Sequence, residues 1–98
     1  MSKFNELVKS NRPVLIDFYA DWCGPCKAMA PVLKEVSQDS PYRILKIDVD
    51  KNPKIAQKYN IRSIPTIMIF RQGKVQWRHS GTASKAQLIN ELDRVQSL

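Results

Sequence analysis

Ninety-eight residues, 43% of them apolar, fit one domain spanning 1–98 that can bury a core without covalent help. Sixteen basic residues against nine acidic ones give a net charge of +7, but they scatter from Lys3 to Arg94 with no dense run or aromatic stripe. That distribution argues against nucleic-acid binding and for a solvated basic surface that favours acidic protein partners.

The amino-terminal segment predicts a short helix over residues 3–10, with Phe4, Leu7 and Val8 at helical spacing. "PVLIDFYA" (13–20) is a near-continuous apolar run, the pattern of a strand buried on both faces. Only Asp17 interrupts it. Residues 24–39 read as a helix with Met29, Val32, Leu33 and Val36 along one side and a kinking Pro31 inside. "YRILKIDVD" (42–50) is a second strand, with Leu45, Ile47 and Val49 on one face and Ile44, Lys46 and Asp48 on the other.

Asn52 opens a short helix to about Tyr59, with Pro53 in its first turn. "TIMIF" (66–70), a turn at "RQG" (71–73) and "KVQWRHS" (74–80) predict an antiparallel hairpin. Ser84 with Gln87 three residues on is a capping box, and Leu88, Leu92 and Val95 supply the buried stripe of a last helix. The order α-β-α-β-α-β-β-α implies an α/β fold whose mixed sheet has a parallel portion and an antiparallel edge.

No apolar run approaches the ~20 residues of a membrane span, and "MSKFNELVKSNRP" lacks the apolar stretch of a secretory signal. A cytoplasmic monomer without membrane attachment is the expectation. The two cysteines, Cys23 and Cys26, stand in "DWCGPCKAMAP" at the mouth of the second helix. A bridge so short removes little entropy from the unfolded chain, so stability is a poor reason for it. A closed zinc site needs about four ligands, and beyond the cysteines only His79 and carboxylates are on offer.

A thiolate at a helix start faces unpaired N–H groups and the positive end of the dipole, which lowers a thiol's pKa from ~8.5. Cys23, earlier and more exposed, is then the nucleophile, and Cys26, one turn further in, resolves the mixed disulfide. Pro25 has no N–H to lose in a first helical turn, and Lys27 adds positive charge. Asp17 points into the interior, where an unpaired carboxylate is expensive and its pKa rises.

"WCGPC" resembles the active-site motif of the thioredoxins. "DFYADWCGPCKAMAP", "IRSIPTIMIF", "QGK" and the Gly81 after the last strand extend the resemblance, in order, from about Val14 onward. It implies the thioredoxin fold and a protein-disulfide reductase. It also implies that Asp17 accepts a proton from Cys26, and that Lys46 is the lysine near that aspartate. By the same resemblance, a cis bond before Pro65 packs against the cysteines, and the backbone of Ile64 pairs with an extended substrate chain. Trp22, Gly24, Pro25, Ile64, Pro65 and Gly81 together form the implied substrate surface.

The chain also departs from the pattern. Thioredoxins usually carry an additional strand before the first helix, whereas only a dozen residues precede the first strand here, so about four strands are expected. Tyr19 and Ser63 stand where many members have tryptophan and glycine, and the basic balance differs from typical acidic members. No nucleotide-binding fingerprint appears, so no bound cofactor is expected. Electrons must then come from a partner such as a thioredoxin reductase-type flavoprotein, and go to disulfide-containing clients. Two other readings stand beside this one. The protein could oxidise or isomerise disulfides, or it could be a non-catalytic accessory subunit that binds through Trp22 and Ile64.

Overall fold

The computed structural model describes residues 2–98. Its centre is β1 (Val14–Tyr19), flanked by β2 (Arg43–Asp48) in parallel and β3 (Thr66–Arg71) in antiparallel register. β4 (Lys74–Ser80) completes a four-stranded mixed sheet in the order β2-β1-β3-β4. Four helices cover it: α1 (Ser2–Val8), α2 (Gly24–Asp39), α3 (Pro53–Lys58) and α4 (Lys85–Gln96). The first described element is thus a helix, and no strand precedes β1 among the described residues.

Side chains alternate across a strand, so each face of the sheet collects its own core. Leu15, Ile67 and Ile69 pack against Met29, Leu33 and Val36 of α2 and Leu88, Leu92 and Val95 of α4. Val14, Ile16, Phe18, Met68 and Phe70 pack on the other face against Phe4 and Val8 of α1 and Ile55 of α3. The near-continuous apolar run of β1 is explained by helices on both sides. Asp17 shares the face of Leu15, the one covered by α2.

Most expected boundaries hold within two residues. α2 runs over 24–39 as the spacing predicts and continues through Pro31. The cap of α4 also forms, with Ser84 Oγ accepting the N–H of Gln87 at 3.1 Å. Two elements are shorter than their apolar patterns. β2 stops at Asp48 rather than reaching Asp50, because the Asp48 carboxylate accepts the N–H groups of Asp50 (2.9 Å) and Lys51 (3.3 Å) in a tight turn. α1 stops at Val8, where the hairpin turn meets it: Gly73 N–H donates to Val8 O and Gln72 N–H to Ser10 O, each at 2.8 Å. Both turn residues have positive φ, 55° at Gln72 and 78° at Gly73.

One side chain ties the ends of the fold together. The Arg71 guanidinium donates to the main-chain oxygens of Asn11 (2.6 Å), Val95 (2.9 Å), Gln96 (3.3 Å) and Leu98 (2.9 Å). It therefore fills the orphan carbonyls at the end of α4 with a cation placed at the negative end of its dipole. Charge-assisted bonds of this kind contribute more than ordinary surface contacts. Arg71→Ala is expected to lower the unfolding free energy by about 2 kcal/mol. Urea denaturation should show that loss as a lower midpoint with an unchanged slope.

Candidate active site

The chain leaves β1 at Tyr19, makes a turn in which Cys23 N–H donates to Ala20 O (3.2 Å), and enters α2 at Gly24. Cys23 is the N-cap. Its backbone is extended (φ −89°, ψ 113°), and its Sγ accepts the N–H of Cys26 at 3.2 Å. Gly24 and Pro25 fill the first two helical positions, and Cys26 follows one turn in, with 5.2 Å between the two cysteine Cα atoms. The sulfurs are joined as a disulfide. The cap position normally belongs to Ser, Thr, Asp or Asn, each offering an oxygen to the same amide. Here a sulfur takes that place.

In the oxidised state both cysteines are buried, Cys23 at 4% exposure and Cys26 at 3%. The reason is a second chain segment over the pair. The Ile64–Pro65 peptide bond is cis, and Ile64 O lies 3.7 Å from Cys23 Sγ. Thr66 Oγ1 donates to Ser63 O (2.7 Å) and Gly81 N–H donates to Pro65 O (2.8 Å), which holds that loop to both hairpin strands. Gly81 has φ 95°, a conformation that favours glycine, and a Cβ there would meet no atom within 4 Å. The space beside Gly81 is therefore open. Ile64 N–H has no partner among the described residues.

Trp22 is 70% exposed, so it is no core tryptophan, and its Nε1–H donates to Asp50 Oδ2 at 2.9 Å. Sequence reasoning misses Asp50. A signal for it exists, since β1 and β2 are parallel and the segments leaving them emerge at the same end of the sheet.

Asp17 is fully buried, and neither carboxylate oxygen accepts a hydrogen bond among the described residues. Burial raises its pKa from 3.8 to about 6, against a smaller lowering by Lys46. Lys46 is the register partner of Asp17 on β2, but its ammonium sits 4.4 Å from the centre of the Tyr19 ring rather than in an ion pair with Asp17. Lys46 and Cys26 line one cleft of about 170 Å³. Cys23, Gly24, Pro25, Cys26, Ile64, Pro65 and Gly81 thus come together directly, with Trp22 alongside. Asp17 lies in the core on the α2 face of the sheet, and Lys46 shares a cleft with Cys26.

The Thioredoxin family model matches residues 1–94. The chain belongs to the thioredoxin family. It is 44% identical over 90 residues to a thioredoxin of Acidithiobacillus ferridurans, covering 90% of this chain and 83% of that one. It is also 44% identical over 96 residues to the bifunctional thioredoxin reductase/thioredoxin of Mycobacterium leprae, covering 96% of this chain and 21% of that one. A solved structure of a mutant thioredoxin from Halobacterium salinarum NRC-1 superposes with a TM-score of 0.92 at 32% identity, covering 100% of this chain and 87% of that one. Family and cysteine pair together make the chain a thiol-disulfide oxidoreductase of the protein-disulfide reductase type. Thioredoxins work with disulfide substrates and a reductase, and no helix of this one is long and apolar enough to cross a membrane.

The burial of Asp17 has a consequence for stability. Its folded pKa exceeds its unfolded one, so the folded state holds the proton more tightly. The contribution of this group to stability is full below pH ~4, falls as pH rises through about 6, and then levels. A displacement of about two pKa units corresponds to roughly 3 kcal/mol. Asp17→Asn should abolish this slope and leave the protein more stable than wild type at pH 8 by about that amount. Chemical denaturation at pH 4, 6 and 8 checks it.

Proposed function

We propose that the protein reduces disulfides of client proteins, with Cys23 as nucleophile and Cys26 as resolving thiol. The observation that carries this division is the cap itself: the N–H of Cys26 points at the Cys23 sulfur. In the reduced protein that amide and the helix dipole favour the Cys23 thiolate. The thiolate attacks one client sulfur, and the other leaves as a thiolate that takes a proton. The Asp17 carboxylate, mostly ionised at neutral pH, accepts the proton of Cys26, and the Cys26 thiolate then displaces the client from Cys23. Two electrons pass to the client, and the Cys23–Cys26 disulfide is the product. Lys46 positions the edge of that proton path.

Clients dock as an extended strand on the main chain of Ile64, beside Pro65 and Gly81. Trp22, Gly24 and Pro25 provide the facing surface. Pairing through backbone reads shape more than side-chain identity, so the client range is broad. A thioredoxin reductase-type flavoprotein restores the dithiol, and the fusion named in the Mycobacterium leprae relative supports a partner of that kind. The bacterial relatives support a cytoplasmic setting, in which the chain acts as a single-domain monomer.

Cys26→Ser keeps the nucleophile and removes the resolving thiol. With disulfide clients it should accumulate a mixed disulfide at Cys23 that dithiothreitol releases, and its turnover in an insulin reduction assay should be lost. Alkylation of the same variant against pH should report a Cys23 pKa below ~8.5. A variant that accumulates no adduct overturns the assigned roles.

A further inference from the structure

Arginine carries five N–H donors in a rigid fork and no acceptor. Four of the six arginines of this chain have protein partners for that fork. Arg62 donates to Asn60 Oδ1, Arg71 to the end of α4, Arg78 to the carbonyls of Tyr59 and Asn60, and Arg94 to Glu91 and Gln76 O. The remaining two, Arg12 and Arg43, donate no side-chain hydrogen bond among the described residues. Neither of the two ion pairs found there, Lys85–Asp39 and Arg94–Glu91, involves them. These two idle arginines line the same cleft, of about 290 Å³, together with Ser10, Pro13, Val14 and Pro41.

The cleft is built from fixed parts. Arg12 N–H donates to Ser10 Oγ (3.0 Å), Ser10 O accepts Gln72 N–H, and Asn11 O accepts Arg71 Nε–H. The segment carrying Arg12 is thereby held to the hairpin. Arg43 starts β2 in register with Val14 of β1, and Pro13 and Pro41 stiffen the two approaches. Tyr42, beside Arg43 in the chain, donates its hydroxyl to Asp93, and that carboxylate forms no ion pair with either arginine among the described residues.

We infer that the Arg12–Arg43 cleft binds a phosphate dianion, as inorganic phosphate or as the monoester of a small organic molecule. Two guanidinium groups around one concavity raise the local potential. A carboxylate presents two oxygens in one plane and satisfies one fork, whereas the oxygens of a phosphate point in several directions and meet two. The volume lies near the ~300 Å³ lower end of small-molecule pockets, which leaves room for a short organic group. The cleft stands at the amino-terminal ends of β1 and β2, and the cysteines follow the carboxyl end of β1. The length of β1, roughly 20 Å, separates them, so occupancy leaves the dithiol site free.

Arginine Nε–H NMR signals of the oxidised protein, titrated with sodium phosphate and separately with glycerol 2-phosphate at constant ionic strength, test the site. The expected result is saturable movement of the Arg12 and Arg43 signals while that of Arg62 stays put. Tighter binding of glycerol 2-phosphate identifies the monoester as the preferred form, and tighter binding of sodium phosphate identifies the free anion. Arg12→Gln and Arg43→Gln should each weaken binding about tenfold or more, with insulin reduction unchanged. Non-saturating movement shared by all arginines, or variants that bind as wild type does, would overturn the site.

Discussion

The site depends on a sulfur standing where a helix needs an oxygen. α2 has unfilled N–H groups at its start, and the Cys23 side chain is the group that answers them. Pro25 contributes no N–H, so the first turn has fewer donors to share, and the one that reaches the sulfur belongs to Cys26. The same amide that stabilises negative charge on Cys23 therefore fixes the second cysteine one turn away. Thiolate stabilisation and bridging distance follow from one local geometry. That geometry holds only because Met29, Leu33 and Val36 seat α2 against the sheet.

Asp17 runs against stability in the same structure. A carboxylate without hydrogen bonds in the middle of the central strand is disfavoured in its charged form, and Lys46 compensates only in part. An asparagine, or an apolar side chain matching Leu15 and Ile67 beside it, would suit the packing better. What the aspartate adds is an ionisable group on the α2 face of the core with a pKa between that of an ordinary carboxylate and neutrality. Such a group takes a proton at neutral pH and is not so acidic that it holds none in passing. In the mechanism we propose, the stability given up in the core supplies the proton acceptor for the resolving step.

Much of this is legible in the sequence wherever one local rule decides the outcome. The N-cap at Ser84, the span of α2 and the hairpin at Gln72–Gly73 each follow from residues within one turn of the chain. β2 ends before its pattern does, because apolar alternation continues to Val49 while the Asp48 carboxylate has already closed a turn on Asp50 and Lys51. The cover over Cys23 follows from the thioredoxin resemblance and from no local rule. Residues 64 and 65 cover it from 41 positions away, and no local pattern reports a contact of that separation. The Trp22–Asp50 bond is of the same kind, set by the parallel register of β1 and β2.

That register also divides the molecule's chemistry. The carboxyl ends of β1 and β2 deliver the turn before Cys23, Trp22 and Asp50 to one edge, where open α/β sheets commonly place their ligands. Burial of the oxidised pair under Ile64 and Pro65 leaves the Trp22 ring and the open space at Gly81 as the exposed features of that edge. The segment at Ile64 and Pro65 thus closes the sulfurs to bulk solvent in the oxidised state, while the parallel register keeps the turn that carries them at the open end of the sheet.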